Sequence, residues 1–316
     1  MITEASLQNT IQKTDFSAEK SYHGKVRDSF VFGDKRAIVV SDRISAFDFV
    51  LGTIPFKGAV LNQIAAFWFQ KLDKIGVSHH LLSSPHPNIS VVKNANVLPI
   101  EVVVRGYLTG STKTSSWYAY QNLDRKICGL EMPAGMKKNE KFPEAIITPT
   151  TKPETGHDEP LSREEIIDRG LVEESVYKKA EKYALKMFAY GQKVAAERGL
   201  ILVDTKYEMG LDDDGNLIVI DEVHTPDSSR YWIEKNYQER LNAGQEPESL
   251  DKEFVRKMIV DAGYDVNSAE NPSHYLTDEI RLEAAKKYLN LYETITGKTF
   301  DISDPQQTIQ QVLEGM

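Results

Sequence analysis

Apolar residues recur at helical spacing over 58–75, where Val60, Leu61, Ile64, Ala65, Trp68 and Leu72 share one face and Gly76 supplies a stop. A longer pattern of this kind predicts a helix over 173–198, closed by Gly199. Ser162 followed by Glu165 is a capping-box pattern that starts a shorter helix. Two further helices are expected over 252–262 and 277–296, and a last short one in the tail. Strand-like runs occupy 27–32, 37–41, 49–54, 79–83, 89–93 and 99–108. The segment 112–147 mixes Pro133, Gly135 and Pro143 with many Lys and Glu, and reads as partly irregular. No repeat or low-complexity tract interrupts the chain. Antiparallel-type strands with interspersed helices predict an α+β fold with a helical C-terminal extension. The expected divisions are residues 1–112, 113–244 and 245–316.

The most informative alternation lies in 201–229, ILVDTKYEMGLDDDGNLIVIDEVHTPDSS. Two β-branched runs flank Asp-Asp-Asp-Gly-Asn, the composition of a tight hairpin turn. With Asp214-Gly215 as a two-residue turn, Glu208 falls opposite Asp221. Asp204, Lys206, Glu208 and Asp221 then share one face, and Met209, Leu211, Ile218 and Ile220 the other. Opposed carboxylates repel unless a cation lies between them. A hard divalent ion such as Mg2+ suits oxygen ligands, and takes the rest of its shell from water and substrate phosphates. A charged face is also the ordinary solvated side of a hairpin, so both readings stand at this point. A slip of one residue in register would separate the two acids.

Length and composition narrow the function classes. The chain has 316 residues, 41% hydrophobic and 27% charged, enough for a sizeable core. A formal charge of −9 argues against general nucleic-acid binding, which needs a cationic surface. A single cysteine, Cys128, excludes an intrachain disulfide framework and suits a reducing compartment. The N-terminal residues lack a basic and apolar leader pattern, and no apolar run approaches membrane-spanning length. A cytoplasmic protein is the expectation, with local basic sites for small anions still open.

Several polar constellations carry candidate chemistry. Gly24-Lys25-Val26-Arg27 opens a strand, so the backbone can approach a ligand and alternation would point Lys25 and Arg27 to the same side, which suits a polyphosphate, although such cations are more often simply surface-exposed. It is not a Walker loop. SDRISAFD (41–48) follows a buried-type strand. Arg105 interrupts the apolar strand EVVVRGYL, where a guanidinium wants a carboxylate or phosphate; Glu101 is a possible internal partner. Gly110-Ser111 follow it. Lys152 and the pair His157-Asp158 stand in a polar loop, and Asp227, Ser228, Ser229 and Arg230 crowd another that could clamp a sugar phosphate. Without a placed Ser or Cys nucleophile, no catalytic triad is expected.

In order, GKVRD (24–28), SDRISAFD (41–48), KGAVLNQ (57–63), EVVVRGYLTGS (101–111), TPTTKPETGHDEP (148–160), VDTKYEMG (203–210) and IDEVHTPDSSR (220–230) resemble the SAICAR synthetase family. The resemblance covers roughly residues 20–235. It implies a two-lobed fold related to the ATP-grasp and kinase-like nucleotide folds. It also implies ligation of L-aspartate to carboxyaminoimidazole ribonucleotide (CAIR), driven by ATP with Mg2+. By that resemblance Gly24, Lys25, Val26, Arg27 and Lys152 would face ATP, and Glu208 and Asp221 would hold the metal. Arg105, Ser111, Asp227, Ser229 and Arg230 would bind CAIR. Asp204 and Lys206 would lie beside its imidazole carboxylate, with Lys152 completing the reacting set. Ser45, Ala46, Asp48 and Asp158 are the candidates for L-aspartate. Two other readings of the residues remain open: a small-molecule kinase and a non-catalytic nucleotide-binding module.

Overall fold

The computed structural model describes residues 2–152, 158–266, 268–303 and 306–316. Two antiparallel sheets carry the site. In the first, the strand order is Lys20–His23, Arg27–Phe32, Lys35–Val40, Ile89–Lys93 and Leu81–His86. In the second, Lys141–Ile147, Ile100–Tyr107, Leu200–Leu211 and Leu217–Ile220 lie side by side, and Ser229–Ile233 adds to Leu200–Leu211. Backbone bonds from His80 N to Val219 O and from Val219 N to Ser78 O, both 2.9 Å, tie the two sheets together.

The expected helices form. Lys57–Lys74 buries Trp68 and its apolar stripe, and Glu174–Ala196 packs Ala184, Met187 and Phe188 into the same core as the long strand. Ser162 and Glu165 exchange both bonds of the capping box. Asp278–Thr296 ends at Gly297, whose φ of 72° supplies the left-handed stop. The tail helix Ile309–Glu314 covers the outer face of the first sheet, where Val312 and Leu313 meet Phe30, Ala37, Val39 and Ile89. Among the described residues no helix is long and apolar enough to cross a membrane.

Several segments differ from the sequence expectation. Within 112–147, Lys141–Ile147 is a strand on the sheet's edge, where Pro143 does no harm because an edge strand needs fewer ladder donors. Ser229 and Arg230, read as loop, begin a strand. The hairpin register is also one residue off: Glu208 pairs with Ile220 and Leu211 with Leu217. Asp212 accepts backbone N–H bonds from Asp214 and Asn216, and Gly215 has a φ of 76°, so the loop has three residues rather than two.

Candidate active site

The long strand Leu200–Leu211 builds the floor of the site. Alternation sends Tyr207 and Met209 into the core and Asp204, Lys206 and Glu208 to the cleft face. Asp204 lies in register with Arg105 on one side and Arg230 on the other. Its carboxylate accepts from Arg230 Nη1 at 2.5 Å and stands 3.9 Å from Arg105 Nη1. Arg105 therefore answers to Asp204, not to Glu101, and also donates to Thr148 Oγ1 at 2.7 Å. Burial lowers the Arg105 pKa despite Asp204, with Arg230 adding to the effect.

Two residues along, Lys206 Nζ bridges Glu101 (2.8 Å) and Glu208 (2.6 Å), and Lys152 donates to the other oxygen of Glu208. Burial pulls the Lys152 ammonium down, and neighbouring Lys206 adds to the shift. Lys206 is raised: burial opposes its charge, but Glu101 and Asp221 outweigh it. The face is thus a half-buried network of opposite charges, not a solvated one.

Asp221 reaches this cleft by a different geometry from the one expected. Its φ of 63° takes it out of the strand. A left-handed non-glycine residue costs about 1–2 kcal/mol, so surrounding contacts must hold it there. Arg27 supplies them, donating to Asp221 Oδ1 at 2.8 Å and standing 2.5 Å from Glu222 Oε2. Although burial opposes it, Arg27, Lys206 and Lys152 keep the Asp221 carboxyl below its usual range. Burial holds nearby His80 neutral, with a pKa pulled down to about 3.

Lys25 and Arg27 do not share a side. Residues 24–26 are a turn closed by a Gly24 N to Arg27 O bond of 2.8 Å, so strand alternation does not apply to Lys25. Its side chain is 56% exposed, and its ammonium lies 3.2 Å from Asp48 Oδ1. Arg43 of SDRISAFD supports the turn from below, donating to the carbonyls of Gly24 and Lys25 and to buried Asp28. Asp42 is structural: it accepts from Ile11 N and Gly58 N, each at 2.8 Å, and burial raises its pKa to about 6. Ser45 and Ala46 lie in a strand paired with Phe49–Thr53, and Phe47-Asp48 form its turn with φ of 52° and 66°. Asp158 is raised by burial and then by Glu101, with Lys206, Asp48 and Lys25 also acting on it, which groups both acids at this mouth. His157 lies outside the described residues.

At the far end, Asp227 is buried. Lys57 Nζ, fully enclosed, donates to it at 2.7 Å, and Tyr288 OH from the C-terminal extension at 3.1 Å. Burial opposes the charge, yet Lys57 and Lys252 hold Asp227 well below the carboxylate range. Removing one partner of such a pair costs about 3–5 kcal/mol. Lys252 itself is pulled down to about 8 by burial. Ser229 Oγ donates to Thr205 Oγ1 at 2.7 Å. Ser111 is exposed beside a cavity of about 240 Å³ lined by Gly110, Trp117, Tyr118, Gln121 and Lys138.

Sequence reasoning missed Glu222, Lys57, Lys252 and Tyr288. Two adjacent acids at a strand end could have flagged Glu222, and a lysine opening an apolar helix face could have flagged Lys57. Nothing local marks Lys252 or Tyr288, which reach the site only through the fold of the extension.

Among the described residues no three His, Cys, Asp or Glu side chains group as a metal set. Mg2+ needs only one or two carboxylates when phosphates and water complete its shell. Glu208 binds Lys152 and Lys206, and the same two ammonium groups act on Asp221, so both acids sit where positive charge is required. That donor set fits the ion.

Comparison with known proteins identifies the family. The family model described as SAICAR synthetase matches residues 20–272. A phosphoribosylaminoimidazole-succinocarboxamide synthase of Legionella pneumophila (strain Paris) is 46% identical over 290 residues, 92% of each chain. One from Bacteroides fragilis (strain YCH46) is 44% identical over 308 residues, 96% of each. The solved SAICAR synthase of Saccharomyces cerevisiae complexed with SAICAR superposes with a TM-score of 0.76 at 31% identity, covering 92% of this chain and 99% of that one. The fold is accordingly ATP-grasp-like. The chain belongs to the SAICAR synthetase family, enzymes that ligate L-aspartate to CAIR at the expense of ATP in purine biosynthesis.

Proposed function

We propose that the cleft between the two sheets divides the family reaction among the residues described above. ATP would lie against the first sheet. Arg27 shares a face with Val31 and Arg36, which line a cavity of about 320 Å³ together with Lys20, Tyr22 and Asn94, a place for the base. The triphosphate would then run toward Arg27 and Lys152, with the Gly24–Val26 turn over it. Glu208 and Asp221 would hold Mg2+, which supplies charge neutralisation to the transferring phosphoryl group. CAIR would occupy the row Arg105, Asp204 and Arg230, with Ser111, Asp227 and Ser229 at its ribotide end and Lys206 beside its carboxylate. The divisions 1–112, 113–244 and 245–316 serve as working lobes.

Chemically, a carboxylate is a poor acyl donor because oxide is a poor leaving group. A carboxylate oxygen of CAIR attacks the γ-phosphorus, ADP leaves, and an acyl phosphate forms. The amine of aspartate then attacks the acyl carbon, loses a proton and expels phosphate. Lys152 and Arg27 would neutralise the charge on the moving phosphoryl group, and Lys206 would hold the carboxylate in line. Ser45, Ala46, Asp48 and Asp158 would receive aspartate, the two acids taking its ammonium. Cys128 plays no part; burial pushes its thiol up to about 11, which suits an unreactive cysteine in a reducing cytoplasm.

The observation that carries this reading is the continuous charged row on one sheet face, from Arg230 through Asp204 and Arg105 to Lys206, Glu208 and Lys152. The test is ADP release with CAIR and each of several amino acids, with and without Mg2+. Release that needs CAIR, aspartate and Mg2+ together is expected. Release without aspartate would mean a kinase, and ATP binding without turnover a non-catalytic module.

A further inference from the structure

Residues 221–230 link the two ends of the cleft, since Asp221 and Glu222 meet Arg27 at one end and Asp227 and Arg230 meet Lys57 and Asp204 at the other. The segment is strained at two non-glycine positions, Asp221 (φ 63°) and His224 (φ 50°). Asp221 is restrained by Arg27. The contacts that hold His224 come from the core side of the sheet.

His224 is fully buried. Its Nε2 lies 2.5 Å from the hydroxyl of Tyr207, a residue on the core face of the long strand. Trp68 meets the imidazole edge-on, with ring centroids 4.6 Å apart at 84°. The backbone carbonyl of His224 accepts from Tyr231 OH at 2.8 Å. The ring fills a notch above Gly191 of the helix Glu174–Ala196: a Cβ there would stand 2.3 Å from Cε1 and 2.8 Å from Nδ1. Nδ1 has no partner. A core that gained only stability from this position would not need an imidazole with an orphaned nitrogen. What the ring does hold is the angle of the segment, between two sets of charged residues.

We propose that His224, seated over Gly191 and bonded to Tyr207, is a positioning residue that sets Asp221 and Arg230 toward the cleft without touching substrate. Tyr207 and Glu208 are adjacent on one strand, so the pair also fixes the segment relative to the row it faces. The inference rests on the proposed roles of Asp221 and Arg230.

The test is a double-mutant cycle read by steady-state kinetics well below the melting temperature, with melts recorded alongside. Tyr207→Phe and His224→Leu each leave one buried polar partner alone, and each should lower kcat/KM roughly tenfold. The double variant Tyr207→Phe/His224→Leu leaves no polar group unpaired but also lacks the bond, so its kcat/KM should stay within about threefold of the singles rather than return to the parent value. Gly191→Ala displaces the ring and should lower kcat roughly a hundredfold, the scale of an ångström-sized misplacement. Where that variant fails to fold, the cycle decides alone. Single variants that melt earlier yet turn over normally per folded molecule would reduce His224 to a structural role and overturn the proposal, as would a double variant restored to the parent's kcat/KM. Substitution of Asp221 and Arg230 themselves tests the underlying reading separately: inert variants there would remove the roles of those residues, whatever the cycle shows.

Discussion

Lys25 and Arg27 lie two residues apart, both in the segment proposed to face ATP. Arg27 is 16% exposed and locked between Asp221 and Glu222; Lys25 is 56% exposed on a turn, beside Asp48. The desolvation of the half-buried guanidinium is offset by two acids, which also hold it in place. The exposed one loses little by leaving Asp48, because a surface ion pair is worth at most about 1 kcal/mol. The cleft therefore combines a preassembled charged floor with a turn whose lysine is free to re-pair on a ligand.

The sharpest way to break that contrast is Asp221→Asn. It removes a charge from the buried set, and turnover should fall roughly 10²–10³-fold, the scale of losing one preorganised electrostatic group. ADP release at saturating substrates and a thermal melt measure it; near-normal turnover would move the working end of the cleft elsewhere. Arg230→Ala should raise the KM for CAIR roughly tenfold or more, a charged hydrogen bond being worth about 1.5–3 kcal/mol. The KM for ATP should stay within about twofold, and the reverse pattern would reassign that strand.

A smaller effect concerns Lys252, pulled down to about 8 by burial. Below that pH it is charged and above it neutral, so any contribution of its charge to an anionic substrate is lost as pH rises through about 8. Turnover should decline across that range, and Lys252→Arg should flatten the decline, because guanidinium keeps its proton. The sign for stability is opposite: this folded-state pKa lies below the unfolded one, so the cost of burying the charged amine is relieved between about 8 and the ordinary lysine value. Lys25→Ala should have the smallest effect, about a threefold rise in the KM for ATP, and added salt should shrink it further.

Much of the fold was legible because period and punctuation are local. Gly76, Gly199 and the Ser162–Glu165 box marked helix ends within a few residues of those in the structure. Strand alternation likewise put Asp204, Lys206 and Glu208 on one face. Register was not legible: Asp212 captures two backbone N–H groups and makes a three-residue loop, a choice the composition Asp-Asp-Asp-Gly-Asn leaves open. Nor was Lys25, since alternation fails once a residue belongs to a turn.

By itself the sequence determined the main helices, which face of the long strand carries charge, and which family the ordered motifs resemble. Those properties depend on neighbours a few positions away. The tertiary structure alone decided that Arg27 meets Asp221 across 194 residues, that Lys57 meets Asp227 across 170, and that Tyr288 of the extension joins them. Such pairings follow from how sheets and helices pack, and a buried charge is tolerable only where that packing delivers its partner.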